Sequence, residues 1–148
     1  MTDPDDTRAG GSPGRAALAA LDVLVVEDDA DTREMLAALL ERDGLRVRCA
    51  ASVGEALAAV REAQPDVIVS DLALGAEHGH DLAARLRDDP DTHDLAIVAI
   101  TGSVDPEWDV VRHFDAYLVK PLDHRAFPAF LRTLATSIEA ARARTSRR

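Results

Sequence analysis

The sequence predicts an α/β fold: a doubly wound, five-stranded parallel sheet with helices over both faces. Three observations predict it. Short apolar runs rich in β-branched residues recur at Val23–Val26, Val67–Val69, Leu95–Ile100 and Tyr117–Val119, and they are continuous, as strands covered on both faces are. Helix-length stretches with recognisable start signals fill the gaps. Strands that alternate with helices assemble as right-handed βαβ units, which makes the sheet parallel.

Taken in order, Val23–Val26 is the first strand. Asp31 and Glu34 have capping-box spacing at the head of the first helix, which carries Met35, Leu36, Leu39 and Leu40 on one face and stops at Gly44. Leu45–Cys49 alternates, with Leu45, Val47 and Cys49 against Arg46 and Arg48, which predicts an edge strand with one wet face. Ser52 and Glu55 repeat the capping box before Ala56, Leu57 and Val60, and Pro65 closes that helix. After the third strand, His80–Arg87 sets Leu82 and Leu86 on one stripe. Asp105-Pro106-Glu107 opens a short fourth helix with proline at its first position. Asp123 is placed to cap the fifth helix, whose Leu131, Leu134 and Ile138 face inward. Pro128 removes a backbone donor near its start and predicts a delay or a kink.

Composition bounds the function. The chain has 148 residues and a net charge of −10, the size of one domain. A hydrophobic content of 47% supports a core, and a pI near 4.8 argues against a nucleic-acid groove, which needs a basic stripe. Cys49 is the sole cysteine, which excludes an internal disulfide framework and a cysteine zinc cluster. No apolar run approaches the ~18 residues of a membrane span, and the stretch Ala16–Val26 is interrupted by Asp22, unlike a signal peptide. The expectation is a soluble cytoplasmic domain over 21–138, after a disordered tail (1–20) and before a basic C-terminal tail (139–148). Nothing beyond 138 is long enough for an output domain.

In an open parallel sheet the ligand sits beyond the carboxyl ends of the strands. There Glu27, Asp28 and Asp29 follow the first strand, Asp71 the third, Thr101 the fourth, and Lys120 with Pro121 the fifth. Asp29 reads as a solvated loop acid. Two carboxylates such as Asp28 and Asp71 held ~5 Å apart at an effective dielectric of ~20 repel by roughly 3 kcal/mol. Such a cluster retains a proton or holds a cation, and hard carboxylate oxygens suit Mg²⁺. A carboxylate nucleophile, a divalent ion, a lysine and a hydroxyl donor are the parts needed to accept a phosphoryl group.

The stretches Val-Leu-Val-Val-Glu-Asp-Asp (23–29), Pro-Asp-Val-Ile-Val-Ser-Asp (65–71), Ile-Thr-Gly (100–102) and Ala-Tyr-Leu-Val-Lys-Pro-Leu (116–122) resemble the receiver domain of two-component response regulators. The resemblance covers roughly 21–137. It implies a flavodoxin-like sheet of order 2-1-3-4-5 and a single-domain, Mg²⁺-dependent switch. It makes Asp71 the phosphoacceptor. The metal ligands would be Glu27, Asp28, Asp71 and the Ala73 carbonyl. Thr101 and Lys120 would contact the phosphoryl group, Thr101 and Tyr117 would form the switch pair, and the Lys120–Pro121 bond would be cis. The implied partners are a histidine kinase or histidine phosphotransfer protein and a downstream protein on the helix 4–strand 5–helix 5 face, with no nucleic acid and no membrane. The chain is expected not to be an enzyme beyond self-phosphorylation and slow self-dephosphorylation.

Some positions depart from the family pattern. Gly75 stands where proline is usual, which predicts a looser loop, and His78 stands where an acid precedes Gly79. His78, His80, His93 and His113 read as surface residues. Nineteen positions separate Thr101 from Lys120, fewer than expected, which places a shortening in the fourth helix or its flanks. Ala73 cannot orient an attacking water, which predicts a long-lived phosphoryl group. Two other readings remain: a degenerate receiver that binds partners without phosphorylation, and an aspartate-nucleophile phosphatase. The phosphatase pattern places an aspartate where Ala73 stands.

Overall fold

The computed structural model describes residues 21–102 and 112–146. Its elements are β1 (Asp22–Val26), α1 (Ala30–Arg42), β2 (Arg46–Ala50), α2 (Val53–Glu62), β3 (Val67–Asp71), β4 (Ala73–Leu74), β5 (Glu77–His78), α3 (Gly79–Asp88), β6 (Ala96–Thr101), β7 (Ala116–Val119) and α4 (Ala126–Ser146). Five strands form a parallel sheet in the order β2-β1-β3-β6-β7, and β4 and β5 form a separate two-stranded hairpin. Counting the five sheet strands alone, this is the predicted order. The predicted tail at 1–20 and the helix at Asp105-Pro106-Glu107 lie outside the described residues. The stretch predicted as a basic tail from 139 is helical as far as Ser146.

The continuous apolar strands divide their side chains between two layers. Val23, Val25, Val67, Val69, Val98 and Ile100 pack with Leu36, Leu39 and Leu40 of α1 and Phe127, Leu131 and Ala135 of α4. Leu24, Val26, Ile68 and Ile97 pack on the other face with Val60 of α2 and Leu82 and Leu86 of α3. Alternation of side chains along each strand makes both faces apolar. Every residue of β3 and β6 is consequently buried. β2 lies at an edge, as its alternation predicts, but Cys49 is exposed rather than inward. Arg48 instead lies over α2 and donates to the carbonyls of Ala59 and Ala63.

The four described helices all start at the sheet's carboxyl end. α1 is capped by Asp29, not Asp31: its carboxylate accepts from Thr32 N at 2.9 Å and Thr32 Oγ1 at 2.6 Å. Two donors at one acceptor decide the boundary two residues before the predicted cap. Ser52 caps α2 as predicted, accepting from Glu55 N, while Glu55 Oε1 accepts from Ala51 N. His78 caps α3 through Nδ1, which accepts from His80 N at 3.0 Å. At α4, Asp123 Oδ1 accepts from Arg125 N and Ala126 N, and Phe127 N donates to Asp123 O. Pro128 has no N–H to continue that ladder, so the regular helix begins at Ala126, the predicted delay.

One arginine ties the far end of the sheet together. Arg87 of α3 donates to the carbonyls of His113, His93 and Leu95 and to Asp115 Oδ2 at 2.7–3.0 Å. Asp115 Oδ2 also accepts from Ile97 N at 2.8 Å. Arg87→Met keeps the aliphatic stem but strands these acceptors. It should cost about 2–4 kcal/mol of folding stability, read as a lower urea midpoint at an unchanged slope.

Candidate functional site

β1 and β3 are neighbours in register, with Val26 opposite Ser70, so the residues that follow them emerge side by side. Glu27 comes next after β1 and Asp71 closes β3; both are buried, Glu27 to 3% and Asp71 to 7% exposure. Asp71 is held at both oxygens. Oδ1 accepts from Ala73 N at 2.9 Å and Oδ2 from Lys120 Nζ at 2.7 Å. The same ammonium lies 3.6 Å from Glu27 Oε1. Glu27 Oε2 accepts from Asp29 N, whereas Oε1 is buried and takes no hydrogen bond.

The electrostatics follow from this crowding. Burial and the neighbouring Asp71 carboxylate push Glu27 up to about 7 from 4.5, against the opposing pull of Asp29 N–H and Lys120. Lys120 is pulled down by burial, but its hydrogen bond to Asp71 and the charges of Asp71 and Glu27 outweigh this, so it stays protonated beyond its usual range. The structure thus presses Glu27 against Asp71 as a crowded acid pair.

Asp28 stands at the rim. It is exposed, and its Oδ2 faces the hairpin closely enough that a Cβ on Gly75 would sit 3.3 Å away. Among the described residues no three His, Cys, Asp or Glu side chains form a group that could hold a metal ion. The predicted ligand set of Glu27, Asp28, Asp71 and the Ala73 carbonyl is thus not assembled as one cluster, because Asp28 is turned toward the hairpin and solvent. The buried Glu27–Asp71 pair nevertheless fits a hard cation: its donors are oxygens, one of them takes no hydrogen bond, and Mg²⁺ is commonly held by one or two carboxylates with water and phosphate.

Thr101 closes β6, is buried, and accepts from Lys120 N at its carbonyl at 2.8 Å. Tyr117 lies on β7 opposite Ala99 and is 44% exposed. The Lys120–Pro121 bond is cis. Of the histidines read as separate surface groups, His80 and His113 are in contact, their rings 5.1 Å apart.

Three positions shape the site in ways that the sequence reading did not assign to them. A Cβ on Gly79 would lie 2.3 Å from the Asp71 carbonyl oxygen, so only glycine lets α3 begin against the end of β3. Its signal was the glycine beside an otherwise helical stretch. Arg33 Nη1 donates to Glu27 O at 2.9 Å and fixes the turn into α1. Gly75, at φ +64°, is the first of two residues joining β4 to β5, while Ala76 keeps a negative φ. That is the glycine a type II′ hairpin turn demands, so Gly75 defines the loop rather than loosening it.

Comparison with known proteins places the site in context. A family model of the response regulator receiver domain matches residues 23–132. The sensor histidine kinase AruS of Pseudomonas aeruginosa is 39% identical over 138 residues, covering 89% of this chain but 14% of the kinase. An uncharacterised 14.6 kDa protein of Leptolyngbya boryana is 37% identical over 109 residues, covering 72% of this chain and 83% of that protein. Among solved structures, the chemotaxis protein CheY4 of Vibrio cholerae aligns with a TM-score of 0.72 at 27% identity, over 77% of this chain and 98% of that one.

A raised carboxyl pKa makes a definite pH prediction. The folded protein binds the Glu27 proton more tightly than the unfolded chain, so this contribution is complete below 4.5 and is lost as pH rises through about 7. In chelator, the melting temperature of the wild type should fall between about pH 5 and about pH 8. Glu27→Gln should flatten that fall.

Proposed function

Since the chain belongs to the response regulator receiver domain family, we propose that it is a phosphoacceptor whose Asp71 takes a phosphoryl group from a histidine kinase or a histidine phosphotransfer protein. The observation that carries this reading is the double tether on Asp71, Ala73 N–H on one oxygen and Lys120 on the other, beside the buried Glu27. The tethers aim the carboxylate. In the step, an Asp71 oxygen forms a bond to phosphorus as the donor's P–N bond breaks, and the electron pair leaves on the donor nitrogen.

Each neighbour has a task in that step. Lys120 exchanges Asp71 Oδ2 for a phosphoryl oxygen and balances its charge. The Thr101 hydroxyl donates to a second phosphoryl oxygen. Receiver domains in general use Mg²⁺ for phosphorylation; Glu27 and Asp71, with Asp28 and the Ala73 carbonyl at the rim, would hold it, and it would supply positive charge to the transferring oxygens. Thr101 moves toward the phosphoryl group and the exposed Tyr117 ring turns inward, which reshapes the surface of β7 and α4 for a protein partner in the cytoplasm. No further turnover chemistry is proposed, because a phosphatase of the aspartate type needs an acid where Ala73 stands.

Incubation with acetyl phosphate and Mg²⁺, followed by intact mass measurement, should show one acid-stable, alkali-labile phosphoryl adduct that Asp71→Asn abolishes. Absence of an adduct with any donor would point to a phosphorylation-independent module, and continuous phosphate release to a phosphatase. Ala73 also makes a prediction. Its methyl group cannot orient water, so the adduct should be long-lived, and Ala73→Asn should shorten its half-life about tenfold.

A further inference from the structure

The β4–β5 hairpin has four paired residues, Ala73 with His78 and Leu74 with Glu77. A two-stranded ribbon this short does not hold itself in water. Its conformation must come from anchors outside it, and it has several. Leu74 is buried in the core, and His78 caps α3. Ala73 N donates to Asp71 Oδ1. The remaining anchor comes from Glu77, whose Oε1 accepts from Val53 N at 3.1 Å, twenty-four residues away at the first turn of α2.

That contact joins the hairpin to the far side of the site. The other capping bonds of α2 are internal: Ser52 Oγ takes Glu55 N, and Glu55 takes Ala51 N. Just upstream, Ala50 O accepts from Glu27 N at 3.0 Å. The chain of contacts therefore runs from Glu27 through Ala50 and the start of α2 to Glu77, and across the hairpin to Ala73 and Asp71. A carboxylate at a helix N-terminus also meets the positive end of the helix dipole, which favours this placement.

We propose that Glu77 is a positioning residue for the phosphoacceptor: by capping α2 it holds the hairpin in the register that keeps Ala73 N–H on Asp71 and Gly75 beside Asp28. Glu77 does not touch the reacting atoms. It acts through the four-residue ribbon, in which Leu74–Glu77 is the pair next to Ala73–His78. The kinetic consequence rests on the phosphoacceptor reading; the structural one does not.

The test compares three variants of the full chain. Glu77→Ala should slow phosphorylation by acetyl phosphate about tenfold and expose the Ala73 amide to faster hydrogen exchange in the unphosphorylated protein. Glu77→Gln keeps an acceptor oxygen and should restore both to near wild type. Ser52→Ala removes a cap from the same helix without touching the hairpin, so it should lower the melting temperature while leaving the phosphorylation rate near wild type. Phosphorylation of Glu77→Ala at the wild-type rate overturns the proposal, as does equal slowing by Ser52→Ala, which would make helix stability the cause. Should the wild type accept no phosphoryl group, the functional reading fails by itself. The proposal then stands or falls on exchange at Ala73.

Discussion

Glu27 and Asp71 are two acids buried side by side, and the surrounding structure is arranged around the cost of keeping them there. Lys120 reaches both, at 3.6 and 2.7 Å, but a single ammonium cannot balance two carboxylates. Backbone donors add to it: Asp29 N–H serves Glu27 and Ala73 N–H serves Asp71. α1 and α3 start at Ala30 and Gly79, so two helix N-termini bring their partial positive charge to the same edge. The imbalance that remains appears as the raised Glu27 pKa, which near neutrality leaves this acid divided between its two forms. A site that is short of positive charge and holds a carboxylate oxygen without a hydrogen bond is built to receive a proton or a cation.

The tightness of the β3–α3 junction follows from the same requirement. Gly79 N donates to Leu72 O at 2.8 Å, and the helix begins so close to Asp71 O that no side chain fits. The seven residues between Asp71 and Gly79 must therefore leave the sheet and return within a very short distance. A two-residue turn does this most economically, and Gly75 at φ +64° is what allows it. Proline, with φ locked near −65°, could not take that conformation. The departure from the family pattern at this position is thus a different solution to the same closure.

The fold was legible because burial on both faces forces continuous apolar runs, as in β1, β3 and β6; the run at Tyr117–Val119 also marks a strand, but β7 lies at the other sheet edge and none of its residues is fully buried. The edge strand β2 was legible for the opposite reason, since one wet face produces alternation. Asp71, Thr101 and Lys120 stand where strand ends converge, and the sheet does bring these strand ends together. Less legible was anything decided by competition between near-equal local signals. Asp29 and Asp31 are both competent caps, and the second bond from Thr32 Oγ1 decides for Asp29. Which of Glu27 and Asp28 turns inward depends on where β1 ends relative to β3, a register that no single strand encodes. Glu77 and Val53, or His80 and His113, meet only through the topology, and their spacing carries no periodic signal.

The strand order also separates two kinds of chemistry across Asp71. On one side β1 contributes Glu27 and Asp28; on the other, β6 and β7 contribute Thr101 and Lys120. The acids lie next to α1, whose start is fixed by Asp29 and by Arg33 on Glu27 O. The hydroxyl and the ammonium lie on paired strands, with Thr101 opposite Val119 and Lys120 N bonded to Thr101 O. Any group that grows on Asp71 and draws Lys120 toward it therefore pulls on both strands at once. On the proposed reading, negative charge is handled toward β1 and conformational response is directed toward β7. The sheet order 2-1-3-4-5 is what keeps the two apart.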